Sequence, residues 1–314
     1  MTARDIAVSR RDPAAYAMVV LSYLLMGAIA ALVDYTSAPG SVVLCMRMAF
    51  AALALAVVFA RRATLVDWRR PGVAPRLLAV GAVSSITLLL FFFAIRSTNV
   101  AIAMILLFMM PVWVAVVAPR VFHMQREPIV YPALALALAG LGVILAPELL
   151  AGNLKVSVWG LLAGLGSGLG YAVYALLVKD LTRRVSSSTI SLAETGLTML
   201  LTLPLALWQL TDTGYELTGR DLVALLVMGV VCTSFAYTIW IEATRRVRVE
   251  HVTVLGYLEP VAAAVYAFIL LSQRPSPATI LGGGLIIAAG LLVVVFGRAE
   301  GEASMAAAAE PEPL

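Results

Sequence analysis

Charge is scarce in this chain. Only 13% of its residues are Asp, Glu, Lys or Arg, against about 25% in ordinary soluble domains. So few polar groups cannot cover a globular surface, which excludes a water-soluble fold. Cysteine and histidine occur twice each. Cys45 and Cys232 lie inside apolar segments and read as buried free thiols, with a disulfide as the alternative. His123 and His251 sit at segment ends without an HExxH spacing, and Ser167 has no histidine at its depth. No catalytic residue, metal or cofactor is therefore expected, and the chain does not read as an enzyme. A channel is disfavoured because filter motifs and rings of charge are missing. Strand-like alternation is missing too, which excludes a barrel. The first apolar run is too long for a cleavable signal core and reads as a span.

What the chain has in excess is apolar length. It is 62% hydrophobic, with a mean hydropathy of +0.98. The apolar blocks run to about 18–22 residues, enough to cross roughly 30 Å of hydrocarbon as helix. Ten spans follow, at 14–33, 41–60, 77–95, 100–118, 130–147, 157–178, 189–208, 221–243, 252–271 and 277–296. The fold class is all-α, a polytopic membrane protein. The alanine- and acid-rich tail, 298–314, is expected to be disordered.

Basic residues alternate between loops. Seventeen fall in the N-terminal arm (1–13), loops 61–76, 119–129, 179–188 and 244–251, and at Arg298; four fall at Arg96, Lys155, Arg220 and Arg274, leaving Arg47 inside a span. The positive-inside rule then puts both termini in the cytoplasm. The same rule accounts for the net charge of +4, so no nucleic-acid partner is expected.

Residues 94–111 (AIRSTNVAIAMILLFMMP) recur at 243–260 (ATRRVRVEHVTVLGYLEP), 149 positions later and without a gap. Ten spans then divide into five-helix repeats, 14–147 and 157–297. Five is odd, so the second repeat enters the membrane inverted. Inverted repeats of this kind enclose a substrate site near the midplane and rock around it.

The ten spans, the two repeat cores ending at Pro111 and Pro260, and the glycine-bearing last span of each half (Gly140 and Gly142; Gly282, Gly283, Gly284 and Gly290) resemble the drug/metabolite transporter superfamily, in its EamA-type branch. Arg47 matches an arginine of the first repeat in that family, whereas the second copy has Glu194 near the equivalent place. Within the branch the chain looks most like exporters of aromatic amino acids of the YddG kind. The resemblance implies a central cavity lined by helices 1, 3, 4, 6, 8 and 9, with 5 and 10 peripheral.

The 149-residue offset pairs Phe91 with Trp240 and Phe108 with Tyr257. With Met104 and Trp113 these residues would form an apolar, adaptable wall for an aromatic ligand. Packing against lipid or other helices is the plainer reading of any one ring. The hydroxyls of Tyr171, Tyr174 and Tyr237 fit either a cavity lining or bonds between helices. Glu259, at an estimated depth of about 12 Å by helical rise, would bind a substrate ammonium or carry a coupling proton. A structural ion pair with Arg47 is its alternative. Arg47 would hold a substrate carboxylate, or else snorkel or pair between helices. Pro111 and Pro260 would free the carbonyls of Leu107 and Gly256 and serve as gating kinks. Glycines 160–170 read as a close-packing surface of helix 6. Asp34, Glu242, Glu250 and His251, at span ends, are expected to be solvated.

The expected function is export of hydrophobic or aromatic amino acids, or related small metabolites, by alternating access. Export of other metabolites or drugs is the alternative, and a non-transporting scaffold or receptor is the rival from another class. The partners are a small-molecule substrate and membrane lipids, and the expected state is a monomer.

Overall fold

The computed structural model describes residues 12–62, 71–98, 100–122, 126–151 and 157–298. The N-terminal arm before Asp12, the tail beyond Arg298, His123 and the side chain of Asp34 lie outside the described residues. Among those described, ten helices are long and apolar enough to cross a membrane. They are α1 (Pro13–Tyr35), α2 (Gly40–Arg62), α3 (Val73–Ser97), α4 (Val100–Leu107 and Met110–Val121), α5 (Val130–Leu150), α6 (Val158–Leu181), α7 (Ser187–Thr213), α8 (Gly219–Arg246), α9 (Val249–Leu255 and Leu258–Leu271) and α10 (Pro277–Phe296).

Polar residues at the ends of apolar runs fix several of these boundaries. Asp12 accepts from the amides of Ala14 and Ala15, ahead of Pro13 at the first helical position. Thr218 and Asp221 form a reciprocal capping box at the start of α8. Ser276 caps α10, again with proline behind it. Each satisfies amide donors that the first turn leaves unpaired.

The helices pack in related pairs. α1 lies on α8 and α9, and α6 lies on α3 and α4; α2 meets α7, and α5 meets α10. The last pair touches backbone to backbone, since a Cβ on Gly282 would stand 2.4 Å from the Gly140 carbonyl oxygen. In α6, a Cβ on Gly168 would stand 2.4 Å from the Leu106 carbonyl oxygen of α4. Small residues therefore set both crossings, as membrane helix packing favours.

The interruptions in α4 and α9 fall at Phe108–Met109 and Gly256–Tyr257, directly before Met110-Pro111 and Leu258-Glu259-Pro260. Proline lacks an N–H, so the helix cannot continue its regular bonding there. The Gly256 carbonyl is not left free as expected, because the Glu259 amide takes it at 3.0 Å. In α4 the Val112 amide turns to the Met109 carbonyl at 3.0 Å. That leaves the Phe108 carbonyl to the Tyr257 hydroxyl, which donates to it at 2.6 Å.

One irregularity has no sequence signal. Val230–Phe235 in α8 forms a π-helical turn, where the Thr233 hydroxyl donates to the Met228 carbonyl at 2.8 Å. The extra residue rotates the rest of α8 relative to its start and so aims Tyr237 and Trp240.

Among the described residues, the helices pack closely at the arginine-rich end of the bundle. Val19, Leu77, Val114, Val178, Leu181, Val249 and Val252 join one apolar cluster there. Beside it lies a buried polar network. The Arg248 guanidinium stands 3.2 Å from Glu127 and 3.1 Å from Glu250. His251 bonds Glu127 at 2.7 Å through Nε2 and the Tyr16 hydroxyl at 2.6 Å through Nδ1. Glu250 and His251 are 2% and 0% exposed, which corrects their expected solvation. Glu242 is only partly buried and pairs with Arg245 and Arg246. Burial would raise the Glu127 carboxyl, but His251, the Arg298 backbone N–H and the Arg248 charge outweigh it and hold the group below the usual carboxylate range. Both cysteines are free and buried.

Candidate functional site

A cavity of about 300 Å³ occupies the arginine-poor half of the bundle. Its mouth lies between the end of α1 (Val33), the start of α2 (Gly40, Val43), the end of α3 (Phe91, Phe92) and the start of α4 (Met104). Its floor, near mid-helix, is built by Tyr171 and Tyr174 of α6, Glu194 of α7, Tyr237 and Trp240 of α8, and Glu259 of α9. Helices α2 and α7 thus join the six lining helices that the resemblance implied. They bring Arg47 and Glu194 with them, while α5 and α10 stay outside.

The wall is aromatic and held rigidly. Tyr174 stacks on Trp240 with ring centroids 5.9 Å apart and planes at 12°. Tyr171 leans on Tyr174 at 5.8 Å, and Phe91 on Phe92 at 6.3 Å. Hydrogen bonds lock the polar edges. Trp240 Nε1 donates to the Tyr23 hydroxyl at 2.9 Å, and the Tyr174 hydroxyl donates to Glu194 at 2.7 Å. Offset ring pairs with their polar atoms satisfied present flat apolar faces at low entropic cost.

The charged groups differ in how they are satisfied. Glu194, 2% exposed, accepts from Ser84 at 3.2 Å as well as from Tyr174. Arg47 is 8% exposed and lies beside the Tyr237 hydroxyl, yet its Nε has no hydrogen-bond partner among the described residues. The Thr87 hydroxyl, also on the wall, has none either. The Glu259 carboxylate makes no hydrogen bond or ion pair with another described residue, although it feels the Arg47 charge. The expected alternative of a direct Arg47–Glu259 ion pair is therefore not formed. Arg47, Thr87 and Glu259 all border one aromatic-walled space.

Of the residues singled out from sequence, Phe91, Phe108, Met104, Tyr171, Tyr174, Tyr237, Trp240, Arg47 and Glu259 come together on this cavity. Tyr257 does not line it. It is 0% exposed and stacks behind Phe108, with centroids 5.5 Å apart. Trp113 also lies off the wall, packed against the apolar cluster at the arginine-rich end. Pro111 and Pro260 adjoin the two helix interruptions and do not line the cavity. Sequence reasoning had not placed Glu194, Ser84 and Thr87 in the site. For Glu194 the available signal was a second carboxylate at membrane depth; the two hydroxyl residues carried none.

Residues 158–295 match the EamA-like transporter family. A protein of Archaeoglobus fulgidus named only as an uncharacterized transporter is 28% identical over 278 residues, covering 88% of this chain and 94% of its own length. The uncharacterized transporter YwfM of Bacillus subtilis is 28% identical over 65% of this chain and 68% of its own. A solved crystal structure superposes with a TM-score of 0.78 at 17% identity, over 92% of this chain and 98% of that one, a likeness of fold alone. These likenesses support a multi-pass membrane transporter with an EamA-like domain at residues 158–295.

Proposed function

We propose that the chain is an alternating-access carrier of the bacterial inner membrane that exports hydrophobic or aromatic amino acids, or related small metabolites. Its arginine-rich side faces the cytoplasm, so the described conformation is open outward. The observation that carries this reading is the meeting of Arg47, Thr87 and Glu259 with stacked rings around one cavity. An α-amino acid with an apolar side chain has the matching groups. Its carboxylate would meet Arg47 and Thr87, its ammonium Glu259, and its side chain the Tyr174–Trp240 face.

The repeats 14–147 and 157–297 would rock about this site. The interruptions of α4 and α9 beside Pro111 and Pro260 would act as the hinges. No catalytic step is needed, since binding groups with few rotatable bonds and two exclusive openings suffice.

Counterflow in proteoliposomes tests the proposal. Labelled phenylalanine should exchange against unlabelled phenylalanine, tryptophan and leucine, and poorly against glutamate or glucose. Absence of exchange for every apolar amino acid would remove the substrate assignment, and absence of any solute flux would favour a scaffold.

A further inference from the structure

The network of Glu127, Arg248, Glu250, His251 and Tyr16 lies outside the cavity and plays no part in the proposed binding. We propose that it is a latch that holds the arginine-rich mouth shut, and that its charge balance sets which mouth rests open. This rests on the alternating-access reading.

Three observations carry it. First, the network joins the two halves of the chain. Tyr16 begins α1 and Glu127 precedes α5, whereas Arg248, Glu250 and His251 lie at the start of α9. The Arg298 amide, past the end of α10, donates to the same Glu127 carboxylate. Lys179, at the end of α6, reaches the adjoining turn and donates to the carbonyls of Thr244 and Val247. Separating the halves at this end must break the contacts of Glu127 with Arg248 and His251.

Second, the repeat-equivalent positions do not carry these groups. At the 149-residue offset, Glu127 corresponds to Ser276, Arg248 to Asn99, Glu250 to Ala101, His251 to Ile102 and Tyr16 to Leu165. An inverted duplication makes the two mouths equivalent in backbone, so a buried cluster of an arginine, a histidine and two carboxylates at one of them biases the equilibrium, because the contacts at the other, Asp221 with the Ser37 amide and Arg220 over the Tyr35 ring, are of a different kind.

Third, the energetics suit a reversible contact. The apolar cluster beside the network exposes greasy surface whenever this mouth opens, a cost that does not depend on charge. Charged groups are desolvated while the mouth is closed and are rehydrated when it opens, so they close it only while their charges balance. A contact made in one state and absent from the other is what shifts a two-state equilibrium. Removing Arg248 leaves the Glu127 and Glu250 carboxylates buried without their shared cation, a condition that opening to water relieves.

Site-directed labelling tests the latch, in a background carrying Cys45→Ala and Cys232→Ala. Val114→Cys reports on the closed end and Val43→Cys on the cavity mouth, each probed with a membrane-impermeant maleimide from its own side. In Arg248→Gln, labelling of Val114→Cys should rise by at least about tenfold, and labelling of Val43→Cys should fall. Adding Glu250→Gln to Arg248→Gln removes the surplus charge and should return both rates towards the parent. If Arg248→Gln does not fold, Glu127→Gln, which leaves Arg248 paired with Glu250, should give a smaller rise in the same direction. Unchanged labelling of both reporters in either folded variant would overturn the latch. Loss of solute flux in the parent protein would instead count against the carrier reading, and the labelling would still judge closure.

Discussion

The bond between Tyr257 and Phe108 joins residues 149 positions apart, the repeat offset itself. Equivalent positions of the two halves therefore touch each other, as they must at a pseudo-twofold axis. Tyr257→Phe removes the hydroxyl and keeps the ring stacked at 5.5 Å. The Phe108 carbonyl, which the Val112 amide has left for Met109, would then be buried without a donor. Such a group costs about 1–3 kcal/mol. At about 2–4 °C per kcal/mol for chains of 150–250 residues, the detergent-solubilised protein should melt several degrees lower. Tyr257→Leu, which also loses the stacking, should lose about 0.5–1.5 kcal/mol more. Differential scanning fluorimetry of the three proteins measures this. A Tyr257→Phe protein that melts with wild type would refute the argument, because the carbonyl would then have another partner.

Further outcomes follow from the cavity and the helix crossings. Arg47→Gln and Glu259→Gln each remove a charge-assisted contact of about 1.5–3 kcal/mol, so KM for a zwitterionic amino acid in counterflow should rise about ten- to a hundredfold. An unchanged KM in either variant would remove that residue from the binding site. Gly282→Ala forces a Cβ to within 2.4 Å of the Gly140 carbonyl oxygen, whereas a Cβ at Gly284 meets nothing within 4 Å. Thermal stability should therefore drop in the first variant and hold in the second, and equal melting would contradict the close crossing of α5 and α10. Thr233→Val deletes the hydroxyl that bonds across the π turn. Trp240 should turn with α8, changing the ranking of aromatic competitors, and an unchanged ranking would separate the turn from specificity.

The spans were legible because each leaves a long signal. Twenty apolar residues can hardly be hidden, and an ungapped copy ending at Pro111 and Pro260 marks equivalent helices. The aromatic wall was legible through the same offset, which pairs Phe91 with Trp240. What lay beyond sequence was anything set by contact between distant segments. Glu250 and His251 read as span-end groups facing water, because Glu127 and Tyr16, which bond His251, stand 124 and 235 positions away from it in the chain. Tyr257 matched Phe108 by repeat, but only the packing shows that one ring lines the cavity while the other supports it from behind. The π turn in α8 depends on a hydrogen bond from Thr233 that no local pattern announces.

The central claim is that solute passes through the cavity walled by Phe91, Tyr174 and Trp240. Met104→Cys places a thiol on that wall. In proteoliposomes it should react with a polar maleimide from the arginine-poor side, react more slowly when phenylalanine is present, and lose flux once modified. Modified protein that still exchanged solute at the unmodified rate would show that the pathway lies elsewhere.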